Sequence, residues 1–326
     1  MDAQIVSRNM AERMDLPFVG LATFAGQPAC TDWDKLDGAD VAVLGIPIDT
    51  ASSYRVGTRF GPRAIREVSM FHGFGPEGVF DFEDEVTYLT ADDVRIVDAG
   101  DCNLCRHQAE PRQCGTGGQG AARCQGDAVH SGRRSFHHDG DDCGLFKGEA
   151  DTHRASRCAF RFHRCAQRHH LGAWQPDASR LGVAHVKGIT TLGPHNMASV
   201  SKKDYEAAKA YGTHVVPLRK FRSIGARAAL AHIADGERVY VSIDIDSFDP
   251  SIAPGTATIS HGGFTYYEAK DLLREVARRF DVVGVDFVEV SPPYDPSGIT
   301  SLLAARTSLD FIGSIFHERA KRRDQP

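Results

Sequence analysis

Nothing in the 326 residues gathers charge of one sign into a block, and no apolar run approaches the length of a membrane span. A helix crossing a bilayer needs about 20 predominantly apolar residues. The formal net charge of −5 gives no electrostatic footprint for nucleic acid or an acidic membrane surface. Residues Met1 to Pro17 mix charged and apolar side chains and lack the apolar core of a signal peptide, so the expected setting is cytoplasmic and reducing. Cysteine is scarce outside one region: Cys30 stands alone, and the other seven fall between Cys102 and Cys165. A reducing compartment argues against a disulfide framework there. The same region lacks more. From Cys102 to Ala184 there is no Ile and no Tyr, only Val129, Val183 and Lys147 represent their types, and eight of the fifteen His crowd in. No apolar period of 2 or 3.6 survives, and a structureless stretch of that length is uncommon inside a compact domain.

Elsewhere the pattern is regular. With 41% hydrophobic and 25% charged residues, the composition is that of a soluble globular chain, and the length suits a single domain over 1–326. Asp40 to Pro47 is a short β-branched run closed by Gly and Pro, the mark of a buried parallel strand. Pro62 suits the first turn of a helix. Further strands are expected at Val94–Asp98, Lys187–Leu192, Arg238–Asp246 and Asp281–Val290, with a helix at Lys203–Tyr211. Thr265 and Glu268 form a capping box ahead of Ala269, Leu272, Leu273, Val276 and Phe280 at helical spacing. Ser301 to Phe316 reads as a closing amphipathic helix. Strands alternating with helices predict an α/β three-layer sandwich with a mostly parallel central sheet.

Two carboxylates carry the chemistry. Along a strand, residues i and i+2 share a face, so Asp244 and Asp246 are expected to present their carboxylates together. Two close carboxylates repel unless a cation or a proton separates them, and oxygen ligands of this type suit manganese. At the carboxyl end of a parallel strand, where ligand sites form, they make half of a metal site. Taken alone, the pair could equally cap a helix or shape a turn over Asp246 to Pro250.

The longer context favours the metal site. Asp249 to Thr256 (DPSIAPGT), Gly262 to Tyr266 (GGFTY) and Val285 to Asp295 (VDFVEVSPPYD) are similar to motifs of the ureohydrolase family, the arginases and agmatinases. So are Leu44 to Asp49, Gly57 to Arg66 and Val97 to Asp101. The resemblance covers roughly residues 40–101 and 185–316, with the motifs in the family's order. It implies hydrolysis of a guanidino compound to urea and an amine, with two Mn²⁺ per subunit activating a water. It assigns Asp244 and Asp246 as metal ligands and Glu289 as the carboxylate facing the substrate guanidinium; a structural salt bridge is the other reading of Glu289. It implies a small-molecule substrate, agmatine or 4-guanidinobutyrate rather than arginine, and a homo-oligomer, a trimer or hexamer. The loop Gly193 to Met197 departs from the arginine-bearing loop expected there.

The family's remaining ligands come from motifs of the form GGDHS and DAHxD, and neither occurs. Read one nucleotide late from Leu104, with permitted synonymous codons, Ser131 to His137 is compatible with LGGDHS. Thr152 to His163 is likewise compatible with a segment containing DAHFD. A frame lost near residue 103 and restored near 184 accounts for the composition, and residues 102–184 are then not expected to fold natively. His137 and His170 are accidental on this reading. The chain as written is expected to be inactive. Two alternatives stand beside it: a non-catalytic relative lacking most metal ligands, and a Cys/His-rich zinc-binding insertion using Cys102, Cys105, Cys158, His163 and Cys165.

Overall fold

Short β-branched runs closed by Gly, Pro or Asp become the strands of one sheet, and the helices between them cover it. The structure is a computed structural model and describes residues 17–50, 52, 54–102, 142–145, 158–162, 188–196 and 200–324. In chain order the strands are β1 (Val41–Gly45), β2 (Val79–Asp81), β3 (Val86–Tyr88), β4 (Ile96–Asp101) and β5 (Asp142–Leu145). They continue with β6 (Cys158–Phe162), β7 (Gly188–Leu192), β8 (His214–Val216), β9 (Arg238–Asp244) and β10 (Asp281–Val288). The helices are α1 (Gly61–Ser69), α2 (Lys202–Ala210), α3 (Leu218–Ala229), α4 (Tyr266–Arg279) and α5 (Ile299–Arg323).

Eight strands form the sheet in the order β4-β1-β5-β10-β9-β6-β7-β8, and β2 with β3 makes a separate hairpin. Every pairing in the large sheet is parallel except those of β5, which runs antiparallel to both β1 and β10. All five residues of β1 are buried, as are most of β9 and β10. That is the signature of strands covered on both faces, and it bears out the α/β sandwich expected from the sequence.

Local signals explain the helices. Thr265 and Glu268 close the capping box of α4 as expected, and Ala269, Leu272, Leu273, Val276 and Phe280 are buried. Lys270, on the same helix, is also buried and donates to Asp81 at 3.0 Å and Glu83 at 3.3 Å, tying the β2–β3 hairpin to α4. The closing helix differs from its expected form. It is longer, and from Thr300 to Phe316 it is buried around most of its circumference because α1 and α4 both pack against it. Among the described helices it alone is long and apolar enough to cross a membrane, yet 78% of the qualifying window is buried inside the protein. Of the segment 102–184, Cys102 and the two strands β5 and β6 are described, and the rest lies outside the described residues.

Candidate active site at the carboxyl edge of the sheet

Strand β9 brings Asp244 to the edge of the sheet and ends there. A 3-10 turn, Ile245–Ser247, follows at once, so the pairing of Asp244 with Asp246 comes from a turn and not from strand alternation. The Asp246 amide donates to Asp244 Oδ1 at 3.1 Å, and Ser247 Oγ donates to the Asp244 carbonyl at 2.6 Å. Both carboxylates are 2% exposed. Thr258 Oγ1 donates to Asp246 Oδ2 at 2.9 Å, which fixes the second carboxylate from the far side of the DPSIAPGT loop. The turn reading of Asp246 to Pro250 holds alongside: Asp249 accepts from the Ser251 amide at 3.0 Å and the Gly262 amide at 2.8 Å.

Glu289 arrives from the neighbouring strand. Val288 is in register with Asp244, so Glu289 stands one residue beyond, at the same edge. Its backbone is left-handed, φ +66°, a conformation that costs a non-glycine residue roughly 1–2 kcal/mol. The following residues are pinned by a bridge between Val290 and Thr256 and by the Ser291 amide donating to the Gly255 carbonyl at 2.8 Å. Strain of this kind gathers at functional sites, where the surroundings over-determine the backbone.

Loops from other parallel strands close around this edge. After β7, Asn196 donates to Ser260 Oγ at 2.8 Å, and His195 Nε2 lies 3.4 Å from the Ser260 carbonyl, so the loop that departs from the family pattern is fastened to the Thr258 loop. After β1, buried Asp49 accepts from Arg59 and from the Gly57 amide at 2.9 Å. The Arg59 hydrogen bond, then that of Gly57, holds the Asp49 carboxyl below the usual carboxylate range against its burial. From α1, Arg66 reaches the end of β4 and bonds Asp98 at 2.8 Å, Asp101 at 2.5 Å and the Gly100 carbonyl at 2.7 Å. Burial works against the Arg66 charge, yet Asp98 and Asp101 raise its pKa above the ordinary value.

Sequence reasoning passed over three residues here. Thr258 orients Asp246. Asp286, 1% exposed, accepts from Tyr240 at 2.7 Å and Ser242 at 2.6 Å, one layer below Asp244; an acid inside an apolar strand was its signal. Arg55 lies over two tyrosine rings beside the Pro292–Tyr294 turn.

The donor set fits part of a metal centre. Asp244 and Asp246 supply hard oxygen ligands, but among the described residues no group of three or more His, Cys, Asp or Glu is placed to hold a metal ion. The residues compatible with GGDHS lie outside the described residues, and of those compatible with DAHFD only the path of β6 is described. Of the zinc-insertion residues, Cys102 is buried beside Ala42, Leu44, Val97 and Ala99 in an apolar cluster, a poor setting for a ligand. Cys105, His163 and Cys165, like His137 and His170, lie outside the described residues.

Comparison with known proteins agrees with the geometry. The arginase-family model matches residues 39–125 and 151–313. Proclavaminate amidinohydrolase of Streptomyces clavuligerus is 34% identical over 297 residues, 84% of this chain and 88% of its own. Guanidinobutyrase of Pseudomonas aeruginosa is 31% identical, covering 90% and 92%, and agmatinase of Chromobacterium violaceum is 31% identical, covering 85% and 84%. The solved proclavaminate amidino hydrolase superposes with a TM-score of 0.63 at 24% identity over 93% of this chain and 99% of that one. Trypanosoma cruzi formiminoglutamase with Mn²⁺ superposes at 0.59, 16% identical, over 90% and 98%. This chain belongs to the arginase family of ureohydrolases.

Proposed function

We propose that the carboxyl edge of this sheet is a binding site for a guanidino compound, agmatine or 4-guanidinobutyrate, in a protein whose ancestral reaction is hydrolysis of that compound to urea and an amine. The observation that carries the reading is two buried carboxylates, Asp244 and Asp246, at the same sheet edge as Glu289. Glu289 stands one residue past the end of the neighbouring strand, whose Val288 is in register with Asp244. A carboxylate pairs with a planar guanidinium through two parallel N–H···O bonds, and Glu289 takes that role. Asp244 and Asp246 are the surviving ligands of a two-manganese centre, in keeping with the Mn²⁺-bearing neighbour. The setting is a cytoplasmic homo-oligomer, a trimer or hexamer.

The chain as written lacks the GGDHS and DAHxD ligands, and no metal-binding group of three is found among the described residues. It therefore binds manganese weakly and releases no urea, and the non-catalytic reading applies to it in this form. The deciding experiment pairs the chain as written with one in which codons 104–184 are read in the shifted frame. Manganese titration by electron paramagnetic resonance and a colorimetric urea assay are run on both, with agmatine and 4-guanidinobutyrate. Tight manganese binding and urea release by the shifted chain alone is the expected result. Urea release from the chain as written would overturn the ligand argument. Silence from the shifted chain would overturn the ancestral reaction.

A further inference from the structure

Away from the sheet edge, a cavity of about 250 Å³ opens between the β2–β3 hairpin, the 3-10 turn Met70–His72 and the helices α4 and α5. Asp244, Asp246 and Glu289 take no part in its lining. Val79, Leu89, Leu309 and the ring of Phe71 give it apolar walls. An apolar cavity of about 150 Å³ holds a benzene ring, so this one has room for a ring carrying a polar group.

The charges around it are mostly spent on one another. Lys270 donates to Asp81 at 3.0 Å and to Glu83 at 3.3 Å, and Arg274 donates to Asp84. Asp81 also accepts from the amides of Glu83 at 2.8 Å and Asp84 at 3.1 Å. Across the cavity, Asp310 accepts from the Tyr266 hydroxyl and meets Arg306 Nε at 3.1 Å. Each carboxylate on the wall thus has a cation and at least one further donor.

The capacity that remains belongs to donors. A guanidinium carries five N–H groups, and Asp310 engages Arg306 through Nε alone, with Tyr266 also in hydrogen-bonding reach. Burial works against the Arg306 charge, but Asp310 and Tyr266 hold its pKa above the ordinary value. His72 feels both Arg306 and Asp310, and its Nε2 is buried with no hydrogen-bond partner among the described residues. Buried polar atoms are ordinarily paired. Burial first, then the Arg306 charge, lowers the His72 pKa, so its ring is neutral near pH 7 and donates when the proton sits on Nε2.

We propose that this cavity is a second ligand site, which takes a small carboxylate with a compact apolar body. Arg306 and His72 Nε2 hold the carboxylate, a group that matches the guanidinium fork. Val79, Leu89 and Leu309 enclose the apolar body, as in most small-molecule pockets. An ammonium in the same place would find only carboxylates already matched by Lys270, Arg274 and Arg306. The proposal is independent of the guanidino site and of any metal.

The test is titration calorimetry on the full chain with phenylacetate, phenylacetamide and 2-phenylethylamine, three probes of similar shape. Saturation-transfer NMR is the second readout. Phenylacetate is expected to bind about tenfold more tightly than the amide, the scale of one charge-assisted contact, and the amine most weakly. Arg306→Met should remove that preference, and His72→Leu should weaken phenylacetate about fivefold. Val79→Phe fills the apolar end from the half-buried hairpin and should abolish binding of all three. Circular dichroism checks that each variant is folded, and Val79→Phe decides the matter if Arg306→Met does not fold. Failure of phenylacetate to bind the parent overturns the proposal, and so does a preference for the amine. Unchanged phenylacetate affinity in Val79→Phe also overturns it, because the ligand then sits elsewhere.

Discussion

Arg66 offers the sharpest test of the packing argument. Its side chain is 10% exposed, and Asp98, which it bonds, is 3% exposed. Asp98 also accepts from the Phe24 amide at 2.7 Å and the Gly100 amide at 2.9 Å. Replacing Arg66 with Met keeps most of the side-chain volume but strands a buried carboxylate with two backbone donors and no cation. Breaking a buried pair in this way costs about 3–5 kcal/mol, a large fraction of the roughly 5–15 kcal/mol by which domains are stable. Converting Asp98 to Asn in the same chain removes the stranded charge. The double variant should then lie only about 1–2 kcal/mol below the parent, the worth of the lost hydrogen bonds. Urea unfolding followed by circular dichroism measures both, with equal slopes required before midpoints are compared. A cost under about 1 kcal/mol for Arg66→Met, on the scale of an exposed pair, refutes the argument. So does a double variant less stable than the single one.

Two further outcomes follow from local geometry. Gly193 has φ +90°, and a Cβ there would lie 2.2 Å from the ring of fully buried Phe264, itself packed against Phe221. Gly193→Ala combines left-handed strain with overpacking and should cost about 2–5 kcal/mol in the same urea assay; a neutral substitution would show that the β7 loop is not built on that contact. His232 lies 2.8 Å from Thr190 Oγ1 and stacks on His214 at 3.8 Å. Burial first, then the neighbouring His214, lowers its pKa to about 4. A histidine depressed in the fold binds its proton more readily when unfolded. Its contribution is full above about pH 6.5 and is lost as pH falls toward 4. His232→Gln should flatten the melting-temperature profile across that window, and a profile parallel to the parent's counts against the assignment.

The parts of the fold legible in the sequence are those with local causes. The β1, β9 and β10 runs announce burial by unbroken apolar character, and the α4 capping box is a four-residue signal that needs no tertiary context. The β2–β3 hairpin gave no such signal: its strands are three residues each, half-buried, and joined by the acidic turn that Lys270 and Arg274 satisfy from a distant helix. Helix α3 was hidden by Gly225, whose φ of +76° interrupts it. At the site, the spacing of Asp244 and Asp246 suggested a shared strand face, but the strand stops at Asp244 and a 3-10 turn brings the two carboxylates together. The left-handed backbone of Glu289 was invisible because it is imposed by the Thr256–Val290 bridge, a contact between segments far apart in the chain.

The direction of β5 decides what the middle of this chain can contribute to the site. In a parallel sheet, a ligand motif that follows its strand emerges at the carboxyl edge, where Asp244 and Glu289 stand. β5 occupies the place between β1 and β10, but its register runs the other way: Asp142 lies opposite Val288, and Leu145 opposite Val285 and Val43. Val288 is itself in register with Asp244, so β5 meets the site with its first residue, and its last lies deeper toward the opposite edge. The residues compatible with LGGDHS, Ser131 to His137, precede β5 in the chain, and with the strand reversed it is the start of β5, Asp142, that stands at the site edge. The sheet accepts either direction through backbone hydrogen bonds alone; the direction of β5 changes only which of its flanking segments borders the edge where Asp244 stands.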